Sequence, residues 1–314
     1  MRLHVGTTSP SGAWIQSIFL ELAREDSVGR HLPEEDPDRA DAILFVDPQS
    51  NPDDLLLAGL REHPEYRCHM EKAFIYHYGD NPLYTLPGIY VGATPRWPRR
   101  LPVVGGPYPN TVTEVPTAIE DPDLLFSYRG AASHSVRAKL IKLRHERAVL
   151  EESDASPWGG QTNATDLTFA QVRHIRLIHR SKFVLCPRGA GPSSFRMFEA
   201  LAAGRVPVVI SDEWLPPPGV DWGGCSVRIR ERDAFRTLEI LTALEPQWPG
   251  MVERVHAARE RFKRERLWDH FAQSLQIVAA LPRPHRVPAW MRAKILRVQL
   301  GERRQALKAT IAKA

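Results

Sequence analysis

Short runs rich in valine, isoleucine and leucine alternate with stretches of helical period along most of this 314-residue chain. That alternation narrows the possible folds more than any other feature. Runs of four to six apolar residues, bounded by turn formers, read as strands buried on both faces, and such strands belong to parallel sheets joined by crossover helices. The pattern predicts strands at 3–6, 43–47, 73–78, 89–92, 124–128, 182–186, 206–211 and 226–230. It predicts helices over 12–24, 53–61, 133–150, 168–179, 193–203, 232–243, 251–263 and 268–281. The fold class is α/β, with no repeat of solenoid period.

A stretch rich in proline and glycine, residues 94–122, separates two such α/β sets. The expected division is 1–118, 119–282 and a C-terminal segment 283–314. Charge supports the last boundary. Nine of the 42 basic residues and only one acid (Glu302) fall after Pro282, leaving 33 basic and 36 acidic residues before it. The folded body is therefore slightly acidic, which excludes a nucleic-acid-binding core with its own basic face. The tail spaces Ala289, Ala293, Leu296, Leu300, Leu307 and Ile311 at nearly helical intervals among arginines and lysines. It reads as a basic amphipathic helix: a peripheral contact with anionic membrane over 285–314, a helix packing back on a domain, or an oligomer contact.

Three widely spaced cysteines (Cys68, Cys186, Cys225) make neither a disulfide framework nor a metal-ligand pair. With no apolar stretch at the N-terminus and no run long enough to span a bilayer, a cytoplasmic location is expected, with the inner membrane face as the tail's alternative.

The densest chemistry lies between Ser181 and Asp212. A buried strand ends at Pro187, a loop containing Arg188, Gly189 and Gly191 follows, and Pro192-Ser193-Ser194 opens a helix. Backbone amides at a helix start, reinforced by the helix dipole, form a ready site for an anion. Ser193 is expected to cap the helix. Arg188 can offer a bidentate phosphate contact, and Glu199, six residues on, can accept from vicinal ribose hydroxyls. A plain glycine turn in a βαβ unit is the bland alternative.

This stretch resembles the exostosin-like glycosyltransferases (glycosyltransferase family 47). Ser181-Lys182-Phe183, Leu185-Cys186-Pro187-Arg188-Gly189, Ser194, Arg196, Glu199-Ala200-Leu201, Gly204, Val206-Pro207-Val208 and Ser211-Asp212 match the family signature. Val184 and Arg205 stand where the family carries cysteines. A second match runs from Leu124 through Arg129-Gly130 to Val136-Arg137. The resemblance implies a GT-B-like architecture, two Rossmann-like domains facing a cleft, and an inverting, metal-independent transfer. It implies a nucleotide-sugar donor, linked through UDP or GDP, a glycan or glycolipid acceptor, and no further cofactor. The donor-binding residues so implied are Arg129, Gly130, Arg137, Arg188, Gly189, Ser193, Ser194 and Glu199; Arg196 could equally be a structural pairing residue. Gly191 occupies the position where retaining enzymes of this architecture carry a second glutamate.

Inversion by direct displacement needs a base for the acceptor hydroxyl. The candidates end strands of the N-terminal half: Asp80 first, in the turn Tyr78-Gly79-Asp80-Asn81-Pro82, then Asp47, then His77, with His134 after Gly130 a further one. Acids before proline or asparagine are also common turn residues. A non-catalytic nucleotide-binding or nucleotide-sugar-binding protein of the same fold is the alternative reading.

Overall fold

The computed structural model describes residues 1–7, 12–47, 60, 63–80, 82, 84, 86–96, 101–110, 115–118, 121–153 and 169–282. The chain forms two units, Met1–Gly106 with Trp268–Ala314, and Pro107–Leu267. Each is built on an all-parallel sheet, the α/β class that the sequence predicts.

In the first unit β1 (Arg2–Thr7) leads into α1 (Ala13–Glu25), followed by β2 (Leu32–Pro33), β3 (Ala42–Asp47) and α2 (Pro64–Cys68). Then come β4 (Ala73–His77), β5 (Gly88–Tyr90) and β6 (Val103–Gly105). The sheet order is β2-β1-β3-β4-β5-β6. β3 and β4 are buried nearly throughout, which explains their unbroken apolar runs. Gly12, not a serine, occupies the N-cap of α1 and makes no side-chain cap.

The second unit contains β7 (Leu124–Gly130), α3 (Ser135–Leu140), β8 (Ala148–Glu152), α4 (Phe169–His179) and β9 (Ser181–Pro187). It continues through α5 (Phe195–Ala202), β10 (Val206–Ile210), α6 (Trp222–Cys225) and β11 (Val227–Ile229) to α7 (Thr237–Leu244) and α8 (Trp248–Arg261). The sheet order is β11-β10-β9-β7-β8.

The structure corrects three sequence expectations. The helix expected over 133–150 stops at Leu140. Arg144 donates to the carbonyls of Ile141 and Leu143, and His145 Nδ1 accepts from the Arg147 amide, closing a turn. Ala148–Glu152 then pairs with β7 as the edge strand. The domain boundary falls after Gly106 rather than near 118, because Val103–Gly105, inside the stretch read as a linker, is the last strand of the first sheet.

The final described helix, α9 (Arg264–Ala279), is not the close of the second unit. From Trp268 onward it packs on the first: the Trp268 indole donates to the His31 carbonyl at 2.8 Å. Phe271 lies against Phe19 and Tyr76, with ring centroids at 4.7 and 5.4 Å. Asp269 accepts the Arg30 fork at 3.1 and 2.7 Å. Losing a buried aromatic such as Phe271 costs about 3–5 kcal/mol. The helix expected over 53–61 and the basic tail 283–314 lie outside the described residues.

Candidate functional site

In the second sheet the chain steps from β7 to β8 on one side and later returns to lay β9 on the other. In open parallel sheets ligands bind beyond the carboxyl ends of strands, at such a reversal. Gly130 closes β7 there and Pro187 closes β9, so the two segments carrying the family signature meet at this one edge.

Much of the signature proves to be scaffold. Ser181 donates to either Ser127 Oγ or the Leu177 carbonyl, each at 2.7 Å, and ties β9 to β7 and α4. Lys182 pairs with Glu245 at 2.7 Å, and its carbonyl accepts from the Trp248 indole. Glu245 also takes the Arg147 fork, and these two cations hold its carboxyl down at about 2. Arg205, in the place of a family cysteine, is buried and donates twice to the His179 carbonyl at the end of α4.

Arg137 turns out to be a brace. Its Nε donates to the Arg188 carbonyl at 2.9 Å, Nη2 to the Pro187 carbonyl at 3.2 Å, and Nη1 to Ser133 Oγ at 3.1 Å. Gly189 is glycine for the same reason: a Cβ there would stand 2.9 Å from Arg137 Nη2. Gly130 likewise makes room for Arg196, 3.0 Å from where its Cβ would be. Arg196 donates to the Arg129 carbonyl and lies over the Tyr128 ring, the structural pairing that sequence left open. Burial pushes the Tyr128 hydroxyl up, against the pull of that cation.

Arg188 faces two carboxylates, Glu231 at 3.4 Å and Glu213 at 3.5 Å, while its buried Nε has no hydrogen-bond partner among the described residues. Those are loose contacts, the kind a guanidinium exchanges for a better-placed oxyanion. Arg129 Nε reaches Glu151 at 3.5 Å, and its Nη1 is buried without a hydrogen-bond partner among the described residues.

Ser193 does not cap α5. Ser194 holds the N-cap position without a side-chain bond, and the Ser193 hydroxyl is buried with no hydrogen-bond partner among the described residues. A buried hydroxyl is normally satisfied, so this one is placed to take up an oxyanion at the helix start.

Glu199 departs from the expectation of an open ribose acceptor. Its side chain is 3% exposed and its Oε2 lies 2.9 Å from His174 Nε2, itself 2% exposed. α5 is buried on nearly every face, so its carboxylate turns to α4. His174 was not legible in the sequence; neither were Glu213 and Glu231, because each pairing spans 25 or more positions.

Among the candidate bases, His77 is excluded as a solvent-facing group. It ends β4 fully buried, accepts from the Gly79 amide at 3.1 Å and stacks on Tyr90. Burial pushes its ring down to about 4. Asp80 is half-buried in the turn that follows, its carbonyl against Gly92, where a Cβ would come within 2.4 Å. Asp47 ends β3 in register with His77, and its side chain lies outside the described residues. His134 caps α3 through Nδ1, accepting from the Val136 amide at 3.3 Å.

Comparison with known proteins finds similarity over the second unit and the strand before it. Residues 103–244 match the Exostosin GT47 domain. An exostosin-1 homolog of Caenorhabditis elegans is 35% identical over 105 residues, 33% of this chain and 25% of that protein. Exostosin-1 of Drosophila melanogaster is 31% identical over 102 residues, 32% of this chain and 12% of its own length. A probable glucuronoxylan glucuronosyltransferase of Arabidopsis thaliana is 46% identical over 66 residues, 20% of this chain and 15% of its own. The matched segments thus span a quarter or less of these relatives. The solved structure of TarM aligns over 89% of this chain and 55% of its own, with 9% identity and a TM-score of 0.39.

Proposed function

We propose that this chain, exostosin-like over residues 103–244, is a glycosyltransferase that moves a sugar from a nucleotide diphosphate donor to a glycan or glycolipid acceptor. The observation that carries the reading is the buried, unsatisfied Ser193 hydroxyl beside the start of α5, at the sheet edge where Gly130 and Arg188 also lie. In this reading the diphosphate takes up the Ser193 hydroxyl and the amides of the helix start. Arg188 leaves its two loose carboxylate contacts for the phosphate, and Arg137 holds the loop that presents it. Fixed donors of this kind stabilise the charge that grows on a departing diphosphate without a bound metal.

Transfer by direct displacement inverts the anomeric carbon, and Gly191 leaves no carboxylate at the retaining position. Asp80 is the proposed base, with Asp47 second: it takes the acceptor hydroxyl proton as oxygen attacks. Glu199 acts on the ribose only after parting from His174; otherwise it serves α5 from within. The basic segment 285–314 would hold the protein against anionic lipid on the cytoplasmic side.

A thermal-shift screen of nucleotide diphosphates and nucleotide sugars without added metal is the primary test. Stabilisation by one nucleotide supports the donor site through binding linkage, and its base narrows the donor list. No shift with any nucleotide, even with magnesium or manganese, overturns it. Binding without turnover across acceptor sugars would favour the non-catalytic alternative, and full activity in Asp80→Asn would move the base to Asp47. Product anomeric configuration, read by NMR, decides between inversion and retention.

A further inference from the structure

The carboxyl edge of the first sheet carries an aromatic pair that takes no part in donor binding. Trp14 stands in the first turn of α1 and is 43% exposed. Tyr78, the residue after β4, meets it with ring centroids at 5.4 Å and planes at 80°. An edge contact of that kind fixes the direction of the indole without laying a second ring flat upon it. Both rings are held in place. Gln16 Nε2 donates to the Val5 carbonyl at 2.8 Å, tying the start of α1 to β1. The Gly79 amide donates to buried His77, and the Asp80 carbonyl lies against Gly92, so the turn that carries Tyr78 is set on both sides. In the sheet, β3 lies between β1 and β4, and its last residue is Asp47. The ring contact therefore joins the strand ends on either side of one candidate base, and its tyrosine is two residues from the other, Asp80.

The other large apolar side chains exposed in this unit stand elsewhere. Leu32 opens β2, Met70 precedes β4, and Ile277 and Leu281 lie at the end of α9. A lipid or protein partner needs a contiguous apolar patch, which one indole does not supply. A flat apolar surface beside Asp80 suits a molecule that is apolar on its face and hydroxylated at its rim. A pyranose with equatorial hydroxyls has that shape. Its axial C–H groups meet the negative face of the indole, and its hydroxyls point sideways. We infer that Trp14, steadied by Tyr78, is the stacking platform for a β-linked pyranose of the acceptor glycan and turns one of its hydroxyls toward the base. The inference rests on the transferase reading and gives it an acceptor class.

The experiment is calorimetric titration of the full chain with cellotetraose, xylotetraose and mannitol, an open-chain polyol without a ring face, and separately with UDP and GDP. It is repeated on Trp14→Ala and Trp14→Phe. Trp14 is exposed, so its replacement leaves the fold intact, which a thermal melt checks. One of the two tetrasaccharides is expected to bind, and mannitol is not. Trp14→Ala should weaken that binding about tenfold or more, whereas Trp14→Phe, which keeps a flat ring, should stay within about threefold of the parent. Nucleotide affinity should stay within about twofold in both variants, because the change leaves the nucleotide edge untouched. Binding of neither tetrasaccharide, unchanged binding in Trp14→Ala, or Trp14→Phe as weak as Trp14→Ala overturns the inference. Nucleotide binding in a chain that ignores both tetrasaccharides removes the platform and leaves the donor reading standing. Tetrasaccharide binding that Trp14→Ala abolishes, in a chain that binds no nucleotide, keeps the platform and removes the donor reading.

Discussion

Arg137 donates its Nε hydrogen to the carbonyl of Arg188 at 2.9 Å, so one arginine positions the backbone of another 51 residues away. The contact sets the loop between β9 and α5, and it uses the fork geometry that a lysine lacks. Arg137→Lys and Arg137→Ala should both lower stability by about 1–3 kcal/mol, the cost of leaving buried carbonyls unmet. Nucleotide diphosphate affinity should fall about tenfold or more in each. Thermal melts and titrations of the two variants check this. A lysine variant that keeps full affinity would show that charge alone, and not the bracing, is what the loop requires.

Ser193 makes the opposite prediction for stability. Its hydroxyl is buried and unsatisfied, and such a group costs about 1–3 kcal/mol in the unliganded protein. Ser193→Ala should therefore melt at or above the parent temperature while losing about tenfold in nucleotide diphosphate affinity. A melting point clearly below the parent would mean that the hydroxyl serves the fold.

His77 gives the first unit an acid-sensitive core. Its ordinary value is 6.5 and burial lowers it to about 4 in the folded chain. Below pH 6.5 the unfolded chain takes up a proton that the folded chain refuses, so stability is full above that value and declines toward pH 4. The loss reaches about 3 kcal/mol at the acid end of that window. Chemical denaturation at pH 7, 5.5 and 4 should show the decline, and His77→Gln should flatten it. A parent slope no steeper than the variant's would refute the assignment.

Thiol reactivity should separate the three cysteines cleanly. Burial pushes Cys186 up to about 12 and Cys225 to about 11, whereas Cys68 is exposed. Only the thiolate reacts, so native protein should lose one thiol rapidly to iodoacetamide and the other two only on unfolding. Peptide mapping that finds Cys186 modified in folded protein would contradict the buried setting of β9.

The eight strands read from the sequence all form, because most are apolar runs buried by their neighbours and need no partner to be recognised. Val103–Gly105 escaped notice because prolines and glycines surround a strand of three residues. Ala148–Glu152 escaped because its residues continued a helical period, and only the hydrogen bonds of Arg144 and His145 reveal the break. At the site, the glycine loop was visible as a local pattern. What its members do was not. Gly130 and Gly189 read as ligand contacts, yet the structure gives each an arginine to accommodate. Glu199 read as open because nothing nearby in sequence announces His174. Patterns within one turn of chain were legible; pairings across the sheet edge were not.

The return of α9 to the first sheet has a consequence for synthesis of the chain. Trp268 and Phe271 complete a core whose other members, Phe19 and Tyr76, leave the ribosome almost two hundred residues earlier or more. Met1–Gly106 therefore has part of its aromatic core uncovered while Pro107–Leu267 is translated. The second unit is contiguous and can close first. The core of the first unit is thus complete only once the last described helix has been made.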